Sequence, residues 1–231
     1  MRIDGLQKMT LLDYPGRVAC TLFTAGCNFR CPFCHNAPLV TRLDSVPAYT
    51  EEEILSFLQK RKGLLDGVAI TGGEPLLQPD AIPFIEKIKA LGYPVKLDTN
   101  GSFPDKLRTL VENGLVDYVA MDIKNSKEKY PMTAGIPVSL MPKIEESVAF
   151  LLSGKIDCEF RTTVVSEFHG ITDFSEIGEW IRGAKRYFLQ PFADSGDLVG
   201  TGPMHAPDEE TLKQMLQTVA PCVESVSIRG E

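Results

Sequence analysis

An α/β fold built on a parallel sheet is predicted by three features of this sequence. Short apolar strands alternate with amphipathic helices along nearly the whole chain. The most distinctive residue groups each fall just after a predicted strand, where parallel α/β folds hold their ligands. The length agrees, because 231 residues with 43% hydrophobic content suit a single domain over residues 1–231 with a full core.

The alternation opens at residues 17–24 (RVACTLFT), a buried strand, followed at 25–40 by a loop rich in Cys, Pro and Asn. Thr50 with Glu53 three residues on has the capping-box pattern. Ile54, Leu55 and Leu58 then supply a helical stripe, and Lys60-Arg61-Lys62 complements the dipole at its end. Strands at 67–71, 94–98, 117–123, 158–165 and 186–190 alternate with helices at 79–91, 104–113, about 141–153, 173–182 and 207–219. Residues 224–229 offer a last strand. Six βα units are too few for a closed eight-stranded barrel. An open partial barrel and a doubly wound sheet both remain, and periodicity does not choose between them.

Charge and hydropathy exclude some functions. A net charge of −7 argues against nucleic-acid binding, which needs a basic face to displace counterions. The sequence has no apolar run of membrane-spanning length and no apolar leader after Met1, so a cytoplasmic protein is expected. In such a compartment six cysteines point to thiol or metal chemistry rather than disulfides.

Three of the six, Cys27, Cys31 and Cys34, stand in CNFRCPFC. Thiolates at these spacings can wrap three corners of a cubane iron–sulfur cluster and leave the fourth iron without a protein ligand. Zinc would want four Cys or His ligands, and neither His35, adjacent to Cys34, nor Cys20 on the preceding strand is well placed to be the fourth. Cys20, Cys158 and Cys222 read as buried apolar thiols.

Other groups stand at strand ends. Thr71-Gly72-Gly73-Glu74-Pro75 pairs glycines, which allow close backbone approach, with a carboxylate that could accept from an ammonium. Asp98-Thr99-Asn100-Gly101 and Asp122-Ile123-Lys124 follow the next two strands. Arg161 in the fifth strand needs an anionic partner if it faces inward. Gln190 ends the sixth strand. His169 and His205 lie in loops without partners at ligand spacing, and Trp180 with Ile177 and Ile181 reads as helix core.

CNFRCPFC, with Phe33 before its last cysteine, resembles the CxxxCxxC signature of the radical S-adenosylmethionine (SAM) superfamily. The resemblance implies a partial (β/α)6 barrel, a [4Fe–4S] cluster held by Cys27, Cys31 and Cys34, and SAM bound at the open iron, with Phe33 and His35 among the cofactor contacts. Gly72-Gly73-Glu74-Pro75 resembles the superfamily's GGEP segment, which implies that it binds the SAM amino group. LDTNG and Asp122-Ile123-Lys124 resemble segments of the activating enzymes of glycyl radical enzymes, typified by pyruvate formate-lyase activating enzyme. That implies a Na⁺ or K⁺ near Asp98, Thr99 and Asp122, with Asn100, Arg161 and Lys124 near SAM and Gln190 near its adenine. One departure is Ala193, where those enzymes tend to carry a histidine.

The likeness runs from Gly5 to Gly230, and its opening stretch is most similar to anaerobic ribonucleoside-triphosphate reductase activating proteins. Residues 35–71 contain no further cysteine, so a single cluster is expected. The implied chemistry starts with an electron from flavodoxin or ferredoxin. Reductive cleavage of SAM follows, and then hydrogen abstraction from a glycine of a partner enzyme. Two alternatives stay open: a radical SAM enzyme acting on a small molecule, like 7-carboxy-7-deazaguanine synthase, and a zinc-stabilised binding module.

Overall fold

Runs such as ACTLFT, GVAITG and YVAMD are too apolar to leave either face in water, and strands of this kind pair in parallel beneath covering helices. The computed structural model describes residues 1–43 and 48–229. Gly230, the last residue of the predicted likeness, lies outside them. Six parallel strands, β2 (Ala19–Thr24), β3 (Gly67–Gly72), β4 (Val95–Thr99), β5 (Tyr118–Asp122), β6 (Cys158–Val164) and β7 (Tyr187–Pro191), follow one another in chain order. β1 (Ile3–Thr10) extends one edge, antiparallel to β2, and β8 (Val226–Ile228) extends the other, parallel to β7. Among the described residues β1 and β8 do not pair, so the sheet stays open. This is the partial (β/α)6 barrel, and it decides against a doubly wound sheet, whose strand order would reverse at a switch point.

The crossovers carry α2 (Glu51–Lys60), α3 (Ala81–Ala90), α4 (Pro104–Glu112), α6 (Met141–Leu152) and α7 (Ile171–Trp180), while α8 (Glu209–Val219) leads into β8. The predicted capping box starts α2: Thr50 Oγ1 accepts from Glu53 N at 3.2 Å, and Glu53 Oε2 accepts from Thr50 N at 2.8 Å. Asp208 caps α8 by accepting from Thr211 N at 2.8 Å. Leu22, Ile70, Leu97, Val119, Phe160 and Leu189 from the strands meet Leu58, Ile85, Leu107, Val148, Phe174 and Met215 from the helices in one apolar core.

Three elements depart from the sequence reading. β1 was not predicted, and the cysteine-rich loop ends in a short helix, α1 (Ala37–Thr41). A second short helix, α5 (Tyr130–Ala134), follows β5. Both helices are five residues long with proline in the first turn, too short to show a helical period. Ile177 and Ile181 are buried as expected, while Trp180 is half-buried, edge-on to Tyr130 and under the Lys127 ammonium. No helix among the described residues is long and apolar enough to cross a membrane.

Parallel pairing puts every strand's carboxyl end on one rim. Thr24 pairs with Gly72, Thr99 with Met121 and Asp122 with Arg161, so motifs far apart in sequence share a level.

Candidate active site

At that rim a cavity of about 400 Å³ opens into the barrel. Its walls include Cys27, Cys31, Cys34, Phe33 and His35 from the loop after β2, and Gly72 and Gly73 after β3. Asp98, Thr99 and Asn100 come from β4 and its end, Asp122 and Lys124 from β5 and its end, Arg161 from β6 and Gln190 from β7. Glu74, expected to contact SAM, lies behind the wall rather than on it.

The cysteine loop is held by backbone bonds from three directions. Gly26 N donates to Leu39 O at 2.7 Å, Arg30 N to Ala134 O at 2.9 Å, and Cys34 N to Cys31 O at 3.2 Å. α5 therefore supports the loop, and Gly135, with φ of 62°, lets its backbone pass Arg30: a Cβ there would stand 2.8 Å from Arg30 O. Cys27 Sγ accepts from Phe29 N at 3.3 Å and faces the Asn100 amide at 3.8 Å. Cys31 is buried, with its thiol toward Ala134 O at 3.8 Å. Burial pushes Cys27 up to about 11 and Cys31 up to about 12, so both are neutral thiols until a metal displaces their protons.

All three thiols face one cavity, yet no three His, Cys, Asp or Glu groups among the described residues converge tightly enough to hold a single metal ion. Three thiols on one wall suit the three protein corners of a cubane cluster, whereas a structural zinc takes four Cys or His ligands. Phe33 is buried against Phe168 and the His169 ring, whereas His35 is exposed and lies against Phe192.

The glycine pair is needed for close approach. A Cβ on Gly72, whose φ is 122°, would come within 2.3 Å of Thr24 N and O, and one on Gly73 within 2.0 Å of Gly26 O. The turn is tied to the cysteine loop by Gly73 N to Thr24 O and Glu74 N to Gly26 O, both 2.8 Å, and by Asn36 Nδ2 to Gly72 O at 2.8 Å.

The Glu74 carboxylate, expected to accept from an ammonium, does not line the cavity. It is fully buried and already accepts from Leu76 N at 3.0 Å, Thr99 Oγ1 at 2.9 Å and Asn100 N at 2.7 Å. Asn100 in turn bonds Asn28 Oδ1 at 3.0 Å. Glu74 thus fastens the β3 turn to the β4 turn, and through Asn100 to the cysteine loop. Burial raises its carboxyl to about 7 against the lowering effect of its three donors.

Asp98, Asp122 and Arg161 form a ladder across β4, β5 and β6. Arg161 faces inward, with Nε 2.9 Å from Asp122 Oδ1 and Nη1 3.2 Å from Asp98 Oδ2. Lys124 Nζ reaches Asp122 Oδ2 at 2.9 Å, and Lys96 Nζ bonds Asp98 Oδ1. Burial alone would raise both carboxyls, but Arg161 with Lys96 holds Asp98 below the usual range and Arg161 with Lys124 holds Asp122 below it. Burial acts against the charge of Lys124 and Arg161 too, yet the aspartates keep both more firmly protonated than usual.

Several wall and support residues were not singled out beforehand. Asp13 and Thr21 bond to each other and line the cavity. His169, which has no partner at ligand spacing in the sequence, is buried: its Nε2 donates to Lys124 O at 2.8 Å and its Nδ1 accepts from Val165 N at 3.1 Å. The only signal in the sequence was their types, since Lys124 and His169 stand 45 residues apart.

Three thiols and a paired-glycine turn on the rim of an open (β/α)6 barrel define a class of protein. Residues 21–165, more than half of the chain, match the Radical SAM superfamily, and the chain belongs to it. It is 32% identical over 215 residues to a Methanocaldococcus jannaschii protein with the provisional description of glycyl-radical enzyme activating enzyme. That alignment covers 91% of this chain and 84% of the relative, and places the chain among the glycyl-radical-enzyme activating members of the superfamily. It is 34% identical over 129 residues to the pyruvate formate-lyase-activating enzyme of Clostridium pasteurianum, covering 54% of this chain and about half, 52%, of that enzyme. The crystal structure of Streptococcus suis SuiB matches with a TM-score of 0.70 at 13% identity, over 91% of this chain and 48% of that one, a likeness of fold alone.

Proposed function

We propose that this protein generates a glycyl radical on a partner enzyme, with anaerobic ribonucleoside-triphosphate reductase as the first partner to test and flavodoxin or ferredoxin as electron donor. The observation that carries the reading is that the three thiols, the glycine turn and the Asp98–Arg161–Asp122–Lys124 ladder line one cavity. The relative of matching length supports the type of reaction.

Cys27, Cys31 and Cys34 would hold a [4Fe–4S] cluster, and the backbone at Gly72, Gly73 and Asn100 together with Lys124, Arg161 and Gln190 would hold SAM. Bound together, these cofactors supply a one-electron cleavage of SAM and with it a hydrogen-abstracting species. The chain's part is to bind, orient and exclude water. Phe33 seals the loop against Phe168, Lys124 and Arg161 present positive charge toward a carboxylate, and the open barrel edge leaves room for a polypeptide. Six free thiols fit a reducing compartment, as in the cytoplasm.

The test is anaerobic purification, reconstitution with iron and sulfide, and assay of dithionite-dependent 5′-deoxyadenosine formation from SAM. We expect about four irons per chain. Incubation with candidate glycyl radical enzymes should then give a glycyl electron paramagnetic resonance signal on one of them. A chain that binds one zinc and makes no 5′-deoxyadenosine would reject the reading. A loaded enzyme that cleaves SAM but puts no radical on any such partner would favour the small-molecule alternative.

Glu74→Ala separates support from ligation. It should leave iron content unchanged and weaken SAM binding about tenfold, because Asn100 and the glycine turn lose a shared anchor worth about 1–3 kcal/mol. Titration of loaded wild type and variant with SAM measures this, and equal affinity would remove Glu74 from the site.

A further inference from the structure

The resemblance to the activating enzymes implied a monovalent cation near Asp98, Thr99 and Asp122, where it would offset the repulsion between these two carboxylates and that of SAM. The structure meets that demand with side chains. All four carboxylate oxygens are engaged: Asp98 Oδ1 by Lys96, Asp98 Oδ2 and Asp122 Oδ1 by Arg161, and Asp122 Oδ2 by Lys124. Two anions face three cations, and the surplus is already positive. A sodium or potassium ion bound there would sit among ammonium and guanidinium groups and would meet their repulsion.

Lys96 is the least expected member. It precedes Asp98 by two residues on β4, so strand periodicity puts both on the same face, toward the barrel interior. Its side chain is only 2% exposed, and its ammonium is bonded to Asp98. An ammonium is seldom buried so completely without a specific anionic partner, because its desolvation is costly. Arg161 already bridges the two aspartates, so folding does not require a second cation on Asp98. A fixed charge beside Asp98 does have a use if the cavity receives an anionic group.

We infer that Lys96 takes, as part of the chain, the place of the monovalent cation beside Asp98, and that this protein binds SAM without Na⁺ or K⁺. The inference rests on the reading of the cavity as a SAM site. Lys96 is then a positioning residue acting through Asp98.

The experiment uses the reconstituted holoenzyme at fixed ionic strength, because salt alone screens these charges. SAM affinity is measured in sodium, potassium and tetramethylammonium chloride, the last too bulky to sit on a carboxylate pair. ²³Na linewidths with and without SAM report ion binding directly. Wild type is expected to bind SAM equally in all three salts, with no SAM-dependent ²³Na broadening. Lys96→Met should bind about tenfold more weakly in tetramethylammonium and recover in sodium or potassium, whereas Lys96→Arg should stay salt-independent. A purely structural ion pair would weaken the methionine variant equally in every salt, which would overturn the inference. Tighter SAM binding by wild type in sodium or potassium would overturn it without any variant. Failure of the loaded wild type to bind SAM in any salt would overturn the SAM reading as well.

Discussion

Cys31→Ala is expected to abolish the cluster and bring SAM cleavage down to assay background. Cys31 is the most enclosed of the three thiols, lodged beside Ala134 O and flanked by Cys27 and Cys34. A three-cysteine site has no spare ligand, and no other cysteine in the chain can substitute. Cys20 sits within β2, Cys158 within β6, and Cys222 packs beside Arg182 and Gly178 on the outer helices. Iron and sulfide analysis after reconstitution, alongside 5′-deoxyadenosine formation, measures both losses. Retention of a full cluster by the variant would remove Cys31 from the ligand set. Loading should also depend on pH in a defined direction. With Cys27 near 11 and Cys31 near 12, each thiol must give up a proton to bind iron. The apparent affinity therefore rises with pH, by up to about tenfold per unit for each thiol titrated. Incorporation at limiting iron should be more complete at pH 8.5 than at pH 7, and the reverse order would contradict this account.

How much of this was legible in the chain depends on the range of the interactions. β2, β3 and most of β5 showed themselves because a strand buried on both faces is largely apolar, while β4, β6 and β7, which carry charged or polar residues, were legible from their alternation with amphipathic helices. β1 did not, because Asp4-Gly5 and Gln7-Lys8 interrupt IDGLQKMT and its strand character comes from pairing with β2. The cysteine spacing and the glycine pair were readable because their geometry is local. The positions of Glu74 and Lys96 were not. Glu74 looked like an offered ligand until Thr99 and Asn100, 25 and 26 residues on, closed over it. Lys96 was not singled out in its strand, and only its burial and its bond to Asp98 in the fold show its role. The inward direction of Arg161 was an even choice in the sequence, and its partners became visible only when β4, β5 and β6 came into register.

Arg161→Met should be the most destabilising change in the ladder. Among the described residues the guanidinium is the one group bonded to both aspartates, and methionine has similar bulk, so the variant removes charge with little loss of packing. Asp98 would keep Lys96 and Asp122 would keep Lys124, but each buried carboxylate would lose its bond to the bridge. Breaking one partner out of a buried ion pair costs about 3–5 kcal/mol. For a chain of this size that lowers Tm by roughly 6–20 °C. The acid limb adds a second signature. Both aspartates have folded pKa values below their ordinary 3.8, so their contribution is fully present above that value and lost as pH falls through the lower folded values. Without Arg161 the folded pKa values move up, and unfolding on acidification should begin at a higher pH than in wild type. Glu74 works in the opposite sense: burial raises it from 4.5 to about 7, so the folded state gains stability from it as pH falls from 7 toward 4.5. Denaturant unfolding curves from pH 3 to pH 8 for wild type, Arg161→Met and Glu74→Gln separate the two contributions. Arg161→Met should shift the limb below pH 5, and Glu74→Gln should flatten the slope between pH 5 and 7. Identical acid limbs for Arg161→Met and wild type would mean that Lys96 and Lys124 alone hold the aspartates ionised, and that Arg161 serves the bound ligand rather than the fold.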